Sequence, residues 1–119
     1  MNKPIFLTVS FRIMDGRRSA FESTAREMVA KTKQEPGALA YEFYVAKDSA
    51  ECRLLEGYAD SDTAASHLTG PVVTDLVPKL LESATLEGFE VYGDASPKLV
   101  EIIANFSAKL FGMIEGYRR

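Results

Sequence analysis

The stretch from Glu35 to His67 limits the possible folds more than any other part of the chain. Glu35-Pro36-Gly37 is a helix stop, because proline cannot continue the hydrogen-bond ladder and glycine accepts a positive φ. Two apolar runs follow, Ala38 to Val45 and Cys52 to Ala59, joined by the polar turn Lys47-Asp48-Ser49-Ala50. Asp60 or Ser61 then caps an alanine-rich helix carrying His67, the one histidine of the chain. A helix end, a hairpin and a second helix together deliver one imidazole beside a sheet.

The flanking sequence completes the pattern. Pro4 to Met14 alternates almost strictly, with Ile5, Leu7, Val9, Phe11 and Ile13 on one face and Phe6, Thr8, Ser10 and Arg12 on the other. Asp15 is placed to cap a helix over about residues 17–34, whose apolar stripe is Phe21, Ala25, Met28, Val29 and Thr32. In the hairpin, Leu39, Tyr41, Phe43 and Val45 are expected on one face of the first arm. In the second arm Cys52, Leu54, Glu56 and Tyr58 share a face. After Gly70-Pro71 a helical pattern runs from Val72 to Leu81, with Pro78 expected to kink it or mark a break. Thr85 to Tyr92 reads as a fourth strand. Ser96-Pro97 opens a third amphipathic helix with Leu99, Val100, Ile103 and Ala104. The tail from Phe106 to Tyr117 fits either a strand or a helix, and strand is favoured. Both faces of the sheet carry bulky residues, more than so few helices can cover, which points to a second subunit.

Composition excludes several classes. With 119 residues and 46% hydrophobic content the chain is the size of one domain with a real core. Its net charge of −3 gives no electrostatic footprint for nucleic acid. One cysteine excludes an intrachain disulfide and fits a reducing compartment. One His and one Cys make no zinc cluster, and no dinucleotide or phosphate-loop fingerprint is present. No signal peptide or membrane-length apolar run is visible, so a cytoplasmic protein that uses neither metal nor cofactor is expected.

The order β-α-β-β-α-β is the ferredoxin-like α+β arrangement. Within it, Glu35-Pro36-Gly37 followed by Leu39, Tyr41 and Phe43, then Glu56, Tyr58 and Asp60, then Ala64 or Ala65 leading to His67, resembles the antibiotic biosynthesis monooxygenase family and its quinol monooxygenase members. The resemblance covers residues 4–93; residues 94–119 form a C-terminal extension beyond the usual core. It implies a dimeric α+β barrel, a homodimer with its two sheets face to face and a pocket between each sheet and its helices. It also implies a cofactor-independent oxidation of a small hydroxylated aromatic by O2. Haem-degrading relatives bring a second-half helix histidine to iron; here that stretch holds residues such as Val77, which argues against haem.

His67 is the candidate proton acceptor, against the plainer alternative of a half-buried histidine with one hydrogen bond. Tyr58 is placed as its orienting partner. Glu56, two residues earlier on the same face, is either a buried acid or a cross-strand partner of a basic residue. Tyr41 and Phe43 are pocket walls or packing residues, and Ser10 and Arg12 are placed to line the cavity from the first strand. Cys52 reads as a small buried apolar residue. Two other functions stay open: a non-oxidative isomerase or proton-transfer enzyme on the same scaffold, and a ligand-binding dimer without turnover.

Overall fold

In the computed structural model, which describes residues 3–119, one five-stranded sheet has its helices packed on one face. Met1 and Asn2 of the expected domain lie outside the described residues. Strand β1 (Ile5–Ile13) leads to helix α1 (Arg18–Thr32). The hairpin β2 (Ala38–Val45) and β3 (Glu51–Tyr58) leads to α2 (Ser61–Leu68). A π-helical segment, Val72–Leu76, runs into the short helix α3 (Val77–Leu80). Then come β4 (Ala84–Tyr92), α4 (Pro97–Ala104) and β5 (Lys109–Phe111). The strand order β2-β3-β1-β4-β5 is the ferredoxin-like order with one strand added at the β4 edge, where β5 runs parallel to β4.

The period-two pattern decides which face is covered. Ile5, Leu7, Val9, Phe11 and Ile13 are all buried, as are Cys52, Leu54, Glu56 and Tyr58 on β3. Phe21, Ala25 and Met28 of α1, Ala64, Ala65 and Leu68 of α2, and Leu99 and Ile103 of α4 close over them. The opposite face bears Phe6, Thr8, Ser10 and Arg12, and no helix among the described residues covers it.

Two local expectations are corrected. Leu39 does not share a face with Tyr41. A bulge between Ala38 and Ala40 gives β2 one extra residue opposite β3, which turns Leu39 outward at 62% exposure and returns Tyr41 to the core side. Asp15 does not cap α1. It forms a turn with Gly16, and Arg17 occupies the cap position with no side-chain hydrogen bond. Pro78 marks a change of helix type, as expected: it sits in the first turn of α3, just after the π-helical segment ends at Leu76. The strand favoured in the tail is present as Lys109–Phe111, after Phe106.

The C-terminal segment is fastened to the start of α2. Ser96 caps α4 by accepting from the Leu99 N–H, and its own N–H donates to Ser61 Oγ at 3.0 Å. Leu99 and Ile103 then enter the same apolar cluster as Ile5, Leu7 and Tyr58.

Candidate functional site

Gly37 sets the geometry of the site. Its φ of +84° ends the turn after α1, and its Cα packs so closely on α2 that an added Cβ would lie 2.7 Å from Thr63 Oγ1. The Ala59 N–H also donates to the Gly37 carbonyl at 2.9 Å. Thr63 itself is held by Asp60, the cap of α2, through both its backbone N–H and its hydroxyl. His67 stands one helical turn beyond Thr63 on the same side of α2. The contact that seats Gly37 on Thr63 therefore places Glu35, two residues earlier, opposite the imidazole.

The result is an imidazole between two carboxyl groups. His67 Nδ1 lies 2.8 Å from Glu35 Oε1, and His67 Nε2 lies 3.7 Å from Glu56 Oε1. Tyr58 donates its hydroxyl hydrogen to Glu56 Oε1. The rings of Tyr41 and Tyr58 flank the imidazole, each with its centroid 5.3 Å away. Strand register explains the grouping: Glu56 on β3 pairs with Tyr41 on β2 and with Leu7 on β1. His67 and Glu56 are buried, whereas the Glu35 side chain is 26% exposed and faces an open groove with Lys31, Gln34, Asp62, Thr63 and Ser66.

Burial controls the proton affinities. Glu56 is pushed up to about 7, chiefly by desolvation, with the Tyr58 hydrogen bond pulling the other way and the Glu35 charge adding to the rise. Burial lowers the proton affinity of His67, and the hydrogen bond and charge of Glu35 oppose it. The phenols of Tyr41 and Tyr58 are raised, first by burial and then by the Glu56 charge, so both stay protonated donors. The Cys52 thiol is pushed by burial up to about 11, the mark of an inert core cysteine.

The imidazole, Glu56 and Tyr41 form the polar wall of an otherwise apolar cavity of about 60 Å³ beneath the helices. Val9, Phe11, Met28, Leu54, Val73, Val77, Phe89 and Phe106 supply much of the rest. Leu86 points to the same side but is 42% exposed, which marks the mouth of the cavity between the 72–81 segment and Phe106.

His67, Tyr58, Glu56 and Tyr41 are thus brought together. Phe43 is not: it shares the inner face but packs edge-on against Phe21 and Tyr41, farther along the core. Ser10 and Arg12 are not either. They project from the opposite face of the sheet, where Arg12 pairs with Glu87 at 3.2 Å, so their expected place in the cavity is corrected. The odd-numbered residues of β1 face the site, and alternation excludes their neighbours. His67 is also more buried than expected, at 2% exposure. Glu35 was read as a helix stop and missed as a site residue. The available signal was an acidic side chain at a glycine-induced close approach to the helix bearing the one histidine. Among the described residues, no group of three or more His, Cys, Asp or Glu side chains is arranged to hold a metal ion, and no helix is long and apolar enough to cross a membrane.

The fold has known relatives. The sequence model of the family described as antibiotic biosynthesis monooxygenase matches residues 4–79. Among solved structures, MupZ from Pseudomonas fluorescens superposes with a TM-score of 0.84 at 22% identity, covering 99% of this chain and 96% of that one. SnoaB from Streptomyces nogalater, a cofactor-independent oxygenase, gives 0.69 at 17% identity over 79% of this chain and 95% of its own. Rv0793 from Mycobacterium tuberculosis gives 0.66 at 24% identity over 78% of this chain and 94% of its own. The similarity to MupZ extends through the C-terminal segment, whereas the other two matches cover about four-fifths of the chain. No curated sequence matches the chain.

Proposed function

The chain belongs to the antibiotic biosynthesis monooxygenase family, and on that premise we propose that it oxidises a small hydroxylated aromatic with O2 and without a cofactor. One observation carries the reading: a buried imidazole, backed by a carboxylate, faces an apolar cavity in this fold. His67 Nε2 takes the proton of a phenol, quinol or enol, and the bonding electrons stay on the substrate. The resulting anion gives electrons to O2. One oxygen atom ends in the product, and the other leaves as water with protons the substrate released. Tyr58 holds the Glu56 carboxyl in place, and Tyr41 and Glu56 orient the substrate hydroxyl at the cavity wall. A ring-sized substrate needs several times the present cavity volume. It enters over Leu86 and displaces side chains such as Phe106. The active form in this reading is a homodimer that covers the open sheet face, and the protein acts in the cytoplasm.

A second reading has its own support. Glu56, close to half-protonated near pH 7, is an acid beside a base, a pairing suited to moving a proton between two atoms of one substrate without oxygen. Oxygen uptake with a panel of quinols and anthrone-like phenols separates the two, because the second reaction proceeds anaerobically. His67→Gln is the informative variant, since it fills most of the imidazole's space. It is expected to lower turnover by about 100- to 10,000-fold. Wild-type turnover by this variant on every reacting substrate would remove His67 from the chemistry.

A further inference from the structure

We propose that Glu35 is the positioning residue of this site: it fixes the hydrogen of His67 on Nδ1 and so presents the basic lone pair at Nε2 to the cavity. The inference rests on the reading of His67 as proton acceptor. A neutral imidazole has one N–H and one lone pair, and its neighbours decide which nitrogen carries which. On the Nδ1 side a carboxylate oxygen lies at 2.8 Å, and a carboxylate accepts but cannot donate. Nδ1 therefore carries the hydrogen. On the Nε2 side Glu56 lies at 3.7 Å, beyond hydrogen-bond distance, with the same oxygen already accepting from Tyr58. Nε2 is left free for a substrate.

The two carboxyl groups differ in a way that suits different tasks. Glu35 lines the open groove, where water solvates it, whereas Glu56 is closed into the core. When the substrate O–H bond breaks and the Nε2–H bond forms, the positive charge appears on a ring that burial otherwise keeps neutral. Glu35 is the counter-charge already in contact with that ring. The groups facing the ring are Glu35 from the turn after α1, Tyr41 from β2, and Glu56 and Tyr58 from β3. Of these, Glu35 alone touches Nδ1. The proton returns from Nε2 when product forms, so the cycle needs no ring flip.

One histidine in the chain makes the test direct. The ¹⁵N NMR spectrum of histidine-labelled wild-type protein, above the imidazole's titration, should show a protonated Nδ1 and an unprotonated Nε2. A protonated Nε2 in the wild type overturns the proposal without any variant. In Glu35→Gln the side-chain amide can donate to Nδ1. The tautomer should then shift towards Nε2–H, and the midpoint of the His67 titration should fall by about 1 to 3 pH units. The acid limb of kcat/KM should move with it, and kcat should drop while KM changes little. An unchanged ¹⁵N pattern and titration in a folded Glu35→Gln protein would show that Glu35 is only structural. The spectra need no substrate. If no aromatic drives oxygen uptake, the oxygenase reading fails while the tautomer still decides the role of Glu35. Turnover accompanied by the reversed tautomer removes Glu35 alone.

Discussion

The two faces of the sheet carry carboxyl groups under opposite conditions, and the contrast explains where chemistry is possible. On the inner face Glu56 has no solvent, one hydroxyl donor and an imidazole close by, and it is pushed up to about 7. On the outer face Glu87 and Glu51 pair with Arg12 and Arg53, all with side chains at least 40% exposed. Exposed pairs of this kind contribute about 0 to 1 kcal/mol. The same residue type on the same β3 strand differs only in which way alternation turns it and in what the helices then cover. The raised proton affinity of Glu56 comes from its lid of helices rather than from its sequence neighbours.

Removing part of that lid should have the largest effect. Leu99 of α4 is fully buried among Ile5, Leu7, Tyr58 and Leu68. Leu99→Ala should cost about 2–5 kcal/mol, the range for a buried leucine truncation with incomplete collapse. Urea unfolding monitored by tyrosine fluorescence measures it. A loss under 1 kcal/mol would mean that the C-terminal segment is an ornament on the inner face instead of part of its cover.

The next test concerns what the cover does to Glu56. Unfolded, a glutamate releases its proton near 4.5; folded, Glu56 holds it to about 7. Between those values the folded form binds more protons at Glu56, so the stability Glu56 contributes is fully present below pH 4.5 and is lost as pH rises through 7. The shift corresponds to about 3 kcal/mol at 1.36 kcal/mol per pKa unit. His67 contributes with the opposite sign. Its proton affinity is lowered by burial, so the stability it contributes is present above pH 6.5 and is lost on acidification. Glu56→Gln removes the first contribution and keeps the second. Its urea midpoint should rise relative to wild type as pH goes from 5 to 8. Parallel pH curves for the two proteins would mean that Glu56 is not a buried acid.

How much of this contrast could be read in advance depends on the range of the interaction that creates it. Alternation along β1 and β3 is local, so the inner set from Ile5 to Ile13 and the facing of Glu56 and Tyr58 were legible. The Asp60 and Ser96 caps were legible for the same reason, since each acts within three residues. The bulge at Leu39 was not, because it depends on how β2 registers against β3 from Ala38 to Ala40. Glu35 was hidden by distance along the chain: 32 residues separate it from His67, and Gly37 packing on Thr63 brings them together. Ser10 and Arg12 show the opposite failure. Their shared face is legible in the alternation, but alternation alone does not say which face the helices and the cavity take.

The smallest expected effect is on the outer face, and it tests the contrast most sharply. The Arg12–Glu87 pair spans 3.2 Å between side chains 50% and 40% exposed. In an isolated chain, Arg12→Ala should change stability by less than about 1 kcal/mol and leave turnover unchanged. The proposed homodimer makes a different forecast, because pairing two sheets through their open faces would bury Phe6, Leu55 and the stem of Arg12. Stability would then depend on protein concentration, and the Arg12→Ala effect would grow at concentrations where the dimer forms. Thermal unfolding of wild type and Arg12→Ala at 1 μM and 100 μM, beside kcat for each, separates these cases. A concentration-independent difference with unchanged kcat keeps the outer face a solvated surface. A concentration-dependent one makes it an interface. A tenfold loss of kcat in Arg12→Ala at full dimer occupancy would break the contrast itself, because a residue on the outer face would then be acting on a site behind the sheet.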